Sequence, residues 1–513
     1  MSEEIIDSRF LQTCDISLEE FTLQPCTMVI FGGAGDLSRK KLLPSVFHLF
    51  KERELTDGFS LLGFGRKELT DEQYRAMMEE EVKSFGEGLY DEGTWREFDK
   101  HVFSLSGTFE DDESYKRLRD KIEGITTPDG GGNKNVIYYL AVPPQVTPVL
   151  VKKLKYHNLC RGPFNTKIIV EKPFGSDLSS ARELNRILTG AFREEQVYRI
   201  DHYLGKEPVQ NIIFFRFSNM IFEQIWNRLF VDNVQITVAE SIGIEGRGGF
   251  YEQTGVVRDI VQNHMLQILG FIAMEPPVGF RADFIRDEKV KILRSMRPMS
   301  PDYIDRFVVR GQYGRGKQNG AAVPAYGEEE GVGPASLVPT FFAGKFYIDN
   351  LRWAGVPFYL RTGKRMKKRV TEICIQLKRL PLQLFGRTCD SMEPNVLVLT
   401  IQPDEKISMR FMVKYPYVSN QIYSTKMVFS YREAFKTPEH PAYEQLLVDC
   451  MKGDLTPFVR QDEVELMWEI VDPIIRRWEE VTPENFPNYA AGTWGPPEAH
   501  LLLEQEDRCW ITD

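Results

Sequence analysis

Side chains suited to acid–base chemistry and anion binding are concentrated in the segment RIDHYLGKE, residues 199–207. Asp201 and His202 are adjacent, and Tyr203 and Lys206 follow them closely. A carboxylate beside an imidazole can hold a general base in one tautomer, and a cation can bind a phosphate. The segment therefore predicts a functional turn, with a solvated surface loop as the alternative.

A second histidine, His264, lies in the predicted helix GVVRDIVQNHMLQILGFIAME, residues 255–275, whose apolar positions follow a helical period only approximately. A lone histidine on a helix is usually a satisfied core or surface residue. Asp259 precedes it by five residues, which is a rotation of about 140° in an α-helix, so the two should not share a face. If His264 is a base, its carboxylate partner must come from elsewhere, and Asp201 is the candidate.

The segment TMVIFGGAGDLSRKK, residues 27–41, reads as a strand, a glycine turn and a helix start. Gly32, Gly33 and Gly35 would let backbone N–H groups approach a pyrophosphate, although a tight turn without a ligand is the alternative. The second strand ends at Arg66, where an NAD site would carry an acid. A cation there favours NADP, unless Arg66 stacks on adenine and tolerates both cofactors.

Lys172 follows the predicted strand TKIIV in the segment EKPFG. Ligands in parallel sheets bind beyond the carboxyl ends of the strands, so Lys172 is placed to face the cofactor. The alternative is an ordinary surface lysine, and the isomer of the bond before Pro173 stays open.

The elements that must position these residues change in character along the chain. Apolar strands separated by helix-length polar stretches predict a doubly wound parallel sheet from about residue 25 to 200, with a glycine-rich turn at residues 129–132. Five or more strands then follow, with one clear helix and a long loop from Tyr313 to Pro339. The predicted fold is an N-terminal Rossmann-like α/β domain over residues 1–201 and a larger α+β domain, with a mostly antiparallel sheet and helices, over residues 202–513.

Composition excludes several classes of protein. A net charge of −10 argues against a nucleic-acid partner, and no apolar run approaches a bilayer span. Seven scattered cysteines indicate reduced thiols, and no metal-ligand spacing appears, so no metal is expected. The acidic start of the sequence does not read as an export signal, which favours the cytoplasm.

Together, GGAGDL, EKPFG, RIDHYLGKE, EGRGGFYE, RDIVQNH and GVPFYLRTGKR closely resemble the glucose-6-phosphate dehydrogenase family, from about Thr27 to Trp510. The C-terminal GTWGPPEAHLLL is more similar to bacterial members. The resemblance implies hydride transfer from C1 of β-D-glucose 6-phosphate to NADP, giving 6-phosphogluconolactone at the entry of the pentose phosphate pathway. It also implies a homodimer or homotetramer.

The resemblance further implies that His264 is the general base and Asp201 its partner. It implies these substrate-binding residues: Lys172, His202, Tyr203, Lys206, Glu240, Asp259, Lys364, Arg369 and Gln402. It implies these cofactor-binding residues: Gly32, Gly33, Ala34, Gly35, Asp36, Leu37, Arg66 and Lys172. Acceptance of NAD beside NADP stays open.

Two rival functions remain. One is an NADP-dependent sugar dehydrogenase of the glucose–fructose oxidoreductase type, which shares an EKP motif but lacks the phosphate-binding HYLGK. The other is a catalytically inactive NADP-binding sensor or assembly factor, which the retained histidines, Asp201 and Lys206 disfavour.

Overall fold

The computed structural model describes residues 23–86, 88–126, 134–162, 164–382, 392–417, 421–435 and 441–512. The glycine-rich turn predicted at residues 129–132 and the first ten residues lie outside these ranges. Within them, no helix is both long and apolar enough to cross a membrane.

The first region alternates strands with helices. Its strands are β1 Thr27–Phe31, β2 Ser60–Gly65, β3 Val102–Ser106, β4 Asn135–Leu140, β5 Asn165–Val170 and β6 Val197–Ile200. Its helices are α1 Leu43–Lys51, α2 Asp71–Phe85, α3 Glu92–Phe98, α4 Asp112–Thr126, α5 Thr147–Tyr156 and α6 Leu178–Ala191, with a π-helical turn at Ser38–Leu42 and 3₁₀ turns at Asp99–His101, Pro144–Val146 and Glu194–Gln196.

These six strands are all parallel, in the order β3-β2-β1-β4-β5-β6. Helices cover both faces, which is why the strands are almost continuously apolar: all five residues of β1 are buried. The strand order reverses between β1 and β4, and ligands bind at such a switch point in doubly wound sheets. The predicted Rossmann-like architecture is confirmed.

The second region is larger and contains helices beside its strands, as predicted. Its helices are α7 Glu207–Phe217, α8 Met220–Glu223, α9 Gly248–Val256, α10 Leu266–Ala273, α11 Ala282–Ser295, α12 Pro301–Phe307, α13 Tyr431–Phe435, α14 Ala442–Lys452, α15 Gln461–Glu480 and α16 Glu498–Glu504, with a π-helical segment at Val257–Met265 and a 3₁₀ turn at Tyr326–Glu328. Its strands are β7 Val231–Ala239, β8 Val308–Gly311, β9 Tyr313–Gly314, β10 Gly316–Gln318, β11 Ala321–Val323, β12 Phe341–Tyr347, β13 Pro357–Gly363, β14 Val370–Leu377, β15 Val396–Gln402, β16 Lys406–Lys414, β17 Ile422–Ser430, β18 Phe458–Val459 and β19 Tyr489–Ala490.

In the described residues, eight of these strands form one sheet in the order β17-β16-β15-β14-β7-β13-β12-β8. The pairing is antiparallel except between β7 and β13. The predicted mostly antiparallel sheet is confirmed, whereas the long loop from Tyr313 to Pro339 contains short strands and a 3₁₀ turn. The one clear helix predicted among these strands is joined by α11 and α12, which also lie between β7 and β12.

The chain later returns to the first sheet. Strand β18 pairs antiparallel with β6 at its edge, and Leu446, Leu447 and Cys450 of α14 pack in the same core as β1. Helix α15 contacts α6, α11 and the π-helical segment. The two regions are thus joined around the end of β6, immediately before Asp201.

Candidate active site

The glycine turn follows β1 and depends on the absence of side chains. Gly32 has φ +84°, and a Cβ on it would lie 2.3 Å from the carbonyl oxygen of Ala141. Its N–H donates to the Phe64 carbonyl at 2.8 Å. Glycine is therefore required at this position, because a side chain would meet backbone that cannot move aside.

Five of the predicted cofactor residues line a cleft of about 370 Å³ at the carboxyl ends of β1, β2 and β4, whereas Lys172 is not part of its wall. Its walls include Gly32, Gly33, Ala34, Gly35, Arg66, Ala141, Val142 and Pro143. Arg66 is exposed at the rim. Asp36 faces solvent beside Lys40, at 3.4 Å, and Leu37 packs against the core instead. The structure thus brings the turn and Arg66 to one cleft, whose walls do not include Asp36 and Leu37.

The two predicted dyad residues are in direct contact. Asp201 follows β6, and its Oδ1 lies 2.5 Å from Nδ1 of His264 in the π-helical segment. Both side chains are essentially inaccessible to solvent, at 2% and 0% exposure. Oδ1 also accepts the Tyr203 N–H at 3.0 Å, and the Tyr203 ring stacks on the imidazole at 4.4 Å. The imidazole is therefore fixed in position and orientation.

Lys172 contacts the other nitrogen of the imidazole. Its Nζ lies 2.9 Å from His264 Nε2 and 3.0 Å from the Asp259 carbonyl oxygen. An ammonium group can only donate, so Nε2 accepts and Nδ1 carries the hydrogen given to Asp201. This tautomer leaves the Nε2 lone pair available as a base.

The helix that carries His264 differs from the predicted one. Val257–Met265 is π-helical, and Gly255, at φ 62°, interrupts the helix before it. Residues five apart are hydrogen-bonded neighbours in a π-helix, so Asp259 and His264 lie on the same side, and Lys172 touches both. The prediction that they face different directions is wrong because it assumed α-helical geometry.

Two parallel strands bring further charged residues close to Asp259. Glu240 follows β7 and Lys364 follows β13, and these parallel neighbours end at the same edge. Lys364 Nζ lies 2.6 Å from Glu240 Oε2 and 3.4 Å from Asp259 Oδ2. The three side chains present two carboxylates and one ammonium group, which suit a polyhydroxy ligand.

A second group of polar side chains lies around Gln402. Its Oε1 accepts from Lys206 at 2.5 Å and from Arg369 at 3.4 Å. Its amide also donates to Thr371 at 3.0 Å, and the Thr371 hydroxyl lies 3.3 Å from the Tyr203 hydroxyl. The sequence prediction missed Thr371, the second residue of β14, which begins directly after Arg369.

His202 contacts the rings of His264 and Tyr203. Its ring centre is 4.5 Å from that of His264 and 5.1 Å from that of Tyr203. Burial, together with the charges of His264 and Lys172, holds the pKa of His202 well below its ordinary value. We therefore expect a neutral imidazole here near neutral pH.

The ionisation of the dyad follows from burial and charge. Burial lowers the pKa of His264, and the Asp201 carboxylate opposes that effect. Burial would raise the pKa of Asp201, but His264 outweighs it and lowers the value to about 2. Burial would also raise the pKa of Asp259, but Lys172 and Lys364 outweigh it and lower the value to about 2. The site thus combines ionised carboxylates with a neutral imidazole.

One group of potential metal ligands occurs in the described part of the chain: Asp201, His202 and His264, with ligand atoms within 4.8 Å of one another. Asp201 and His264 already bind each other, and Nε2 of His264 faces the Lys172 ammonium group. A metal ion would be repelled by this cation, so the arrangement favours a base over a metal centre.

Comparisons with known proteins cover nearly the whole chain. The sequence model "Glucose-6-phosphate dehydrogenase, NAD binding domain" matches residues 29–211, and the model of the C-terminal domain of the same enzyme matches residues 213–511. The predicted boundary after residue 201 stays a prediction.

Individual relatives agree with these matches. Glucose-6-phosphate 1-dehydrogenase of Chlamydia pneumoniae is 43% identical over 498 residues, which cover 95% of this chain and 96% of that protein. The enzyme of Bacillus subtilis is 40% identical over 487 residues, covering 94% and 97%. A solved structure of glucose-6-phosphate dehydrogenase in complex with its substrate glucose-6-phosphate is 36% identical, with a TM-score of 0.87 and coverage of 95% and 99%.

Proposed function

This chain belongs to the glucose-6-phosphate dehydrogenase family, and we propose that it oxidises C1 of β-D-glucose 6-phosphate with NADP+. The products are 6-phospho-D-glucono-1,5-lactone, NADPH and a proton, as in the first step of the oxidative pentose phosphate pathway. The observation that carries the proposal is the buried His264–Asp201 pair. The other imidazole nitrogen, His264 Nε2, faces Lys172, which follows β5 of the parallel sheet.

In this proposal His264 Nε2 removes the proton of the C1 hydroxyl while the C1–H bond breaks and the C1=O bond forms. Bound NADP+ supplies the acceptor of the hydride. Asp201 stabilises the imidazolium that forms, and Lys172 must move from Nε2 as the substrate hydroxyl arrives. A neutral, oriented histidine supplies this base without an added metal ion.

We assign the sugar phosphate to the group around Lys206. A phosphate dianion would replace the Gln402 amide oxygen as acceptor for Lys206 and Arg369 and would receive charge-assisted hydrogen bonds. We also assign His202 and Tyr203 to the phosphate site. Glu240, Asp259 and Lys364 would bind the sugar hydroxyls, and their opposite charges suit groups that both donate and accept.

The cleft beside the glycine turn fits a dinucleotide. Gly32 packs on Ala141 without a side chain, and the turn from Gly32 to Gly35 lines the cleft, where a pyrophosphate can approach the backbone. Arg66 lies at the rim, where a guanidinium group can pair with a 2′-phosphate. We propose NADP as the preferred cofactor, with NAD used less well.

The test is the initial rate of reduced-cofactor formation with glucose 6-phosphate and with unphosphorylated glucose, each with NADP+ and NAD+. We expect kcat/KM for the phosphorylated sugar to be higher by about 10³ or more, since charge-assisted contacts to a dianion contribute at least about 4 kcal/mol. Comparable values for both sugars would favour the glucose–fructose oxidoreductase type. No turnover together with tight NADP+ binding would favour the inactive sensor.

We also propose that the protein forms a homodimer or homotetramer through the outer strand of the large sheet. Strand β17 is an edge strand, and Met427, Val428, Phe429 and the nearby Phe435 are 57%, 58%, 42% and 59% exposed. An apolar edge of this kind usually marks an interface.

Sedimentation measurements test the interface. Val428→Asp should shift the protein toward the monomer, whereas Val278→Asp, at another exposed valine, should not. A wild-type protein that stays monomeric at micromolar concentration would contradict the proposal. A cytoplasmic location is also proposed, because the cysteines of the described residues are free thiols, with Cys509 exposed and Cys26, Cys160, Cys374 and Cys450 buried. Cell fractionation tests it.

A further inference from the structure

Three buried side chains contact one another next to the helical segment that carries His264. Gln267 lies three residues beyond His264, in the first turn of α10. Its amide donates to Glu463 Oε2 at 3.0 Å and its oxygen accepts from Lys289 Nζ at 2.9 Å. Lys289 and Glu463 are 2.8 Å apart and are 1% and 0% exposed. We call these three residues the buried triad.

The buried triad joins three helices. Lys289 belongs to α11, Glu463 to α15 and Gln267 to α10. The aliphatic stem of Lys289 lies against Gly270, whose absent side chain leaves room for it. Burial lowers the pKa of Lys289, while Glu463 and, more weakly, Asp201 raise it.

The same residues are connected to Asp201 through the backbone. Strand β6 ends at Ile200, directly before Asp201, and Ile200 pairs with Phe458 of β18. Strand β18 ends at Val459, and α15 starts two residues later and places Glu463 in its first turn. The Glu463 Oε1 accepts the Arg460 N–H at 3.2 Å, which fixes this carboxylate to the helix start.

These contacts close a ring. One path runs from Asp201 through β6 and β18 to Glu463, and from Glu463 through Gln267 back along the helix to His264. The dyad hydrogen bond at 2.5 Å is the last link of this ring. Its length depends on the position of a π-helical segment, which is a less stable conformation than an α-helix and needs support from its surroundings.

We propose that Lys289, Glu463 and Gln267 are positioning residues that set the contact between His264 and Asp201. They touch neither substrate nor cofactor. A buried ion pair is a poor source of net stability, because desolvation offsets the attraction between its charges. It does fix geometry, because a displaced partner leaves a buried charge unpaired. This inference rests on the proposed function, since it concerns the same proton transfer.

The test uses kcat and KM for glucose 6-phosphate in three variants. The double variant Lys289→Met/Glu463→Met removes both charges and keeps the volume, and Gln267→Met cuts only the link to α10. A triple variant combines them. We expect kcat to fall about 10-fold to 100-fold in the double variant and in Gln267→Met, because a small misplacement of a catalytic group has effects of this size.

KM should change less than about threefold, because the phosphate contacts of Lys206 and Arg369 lie outside this helix. The triple variant should be no slower than the slower of the other two, because the three residues act as one unit.

Lys345→Met/Glu506→Met is the matched control. Lys345 is 3% exposed and paired with Glu506, and its contacts in the described chain include no candidate site residue. Its kcat should stay within about twofold of wild type.

A wild-type kcat in Gln267→Met would overturn the positioning role, as would losses that multiply in the triple variant. Gln267→Met keeps Lys289 and Glu463 paired, so it remains decisive if the double variant fails to fold. The proposed function fails separately, if the wild-type protein itself does not oxidise glucose 6-phosphate.

Discussion

Asp201→Asn should lower kcat by about 10³ and leave KM for glucose 6-phosphate within about threefold. The substitution keeps the size of the side chain but removes the negative charge that faces His264 Nδ1 at 2.5 Å. The charge matters most when the imidazole is protonated, which occurs as the C1 hydroxyl loses its proton. The loss should therefore appear in kcat, because the ground state contains a neutral histidine.

The expected size follows from Coulomb's law. The imidazolium and carboxylate charge centres would be about 4 Å apart, and an effective dielectric constant of about 20 gives about 4 kcal/mol. Each 1.36 kcal/mol corresponds to a factor of about ten in rate, so the predicted loss is close to 10³. An asparagine that donates its N–H₂ group to Nδ1 would also reverse the tautomer and move the proton to Nε2.

The assay is the initial rate of NADPH formation at saturating NADP+ over a range of glucose 6-phosphate concentrations. Asp449→Asn is the matched control, because this buried aspartate has a pKa raised to about 7 by burial and contacts Gln445 rather than the dyad. It should keep kcat within about threefold of wild type. A kcat for Asp201→Asn within tenfold of wild type would refute the assignment of Asp201 as the electrostatic partner of the base.

Three further outcomes are expected. Lys206→Ala should raise KM for glucose 6-phosphate about 100-fold, since a charged contact to the dianion is lost. Substitution of the exposed Lys116 by alanine is the control. An unchanged KM in Lys206→Ala would remove Lys206 from the phosphate site. Arg66→Ala should raise KM for NADP+ more than for NAD+, and equal increases would indicate adenine stacking instead. Burial lowers the pKa values of His202 and His264 in the folded protein. Below about pH 6.5 the unfolded chain therefore binds protons that these two folded-state histidines do not bind. Each histidine should then lower the free energy of unfolding by up to about 1.4 kcal/mol per pH unit as the pH falls. Denaturant titrations of the wild type and of His202→Asn check this slope. Asp449, whose pKa burial raises to about 7, adds an opposite slope to both proteins, so the difference between the two profiles isolates His202. Equal slopes in the two proteins between about pH 6.5 and 5 would contradict the prediction.

Local patterns predicted much of the fold. The apolar run of β1 and the glycines after it indicate a strand and a tight turn, because both depend on neighbouring residues. The strand patterns of the second half likewise appear as β7, β12, β13, β14 and β15. These features are encoded in short segments, so a single sequence reveals them.

Features set by distant packing were not predictable in the same way. The π-helical form of Val257–Met265 reverses the expected relation between Asp259 and His264, and the residue pattern alone does not distinguish it from an α-helix. The return of β18 to the first sheet rests on two residues, too few for a periodic pattern. The contact of Lys172 with His264 joins residues 92 positions apart, and sequence spacing carries no information about it.

The most direct test of the central claim compares His264→Asn with the wild-type protein. Initial rates with glucose 6-phosphate and NADP+ should fall by about 10⁴ or more, since the base and its charge-stabilised imidazolium are both lost. The dissociation constant for glucose 6-phosphate, measured by calorimetry, should change less than about threefold. A variant that keeps a tenth of the wild-type kcat would show that another group removes the proton and would contradict the account.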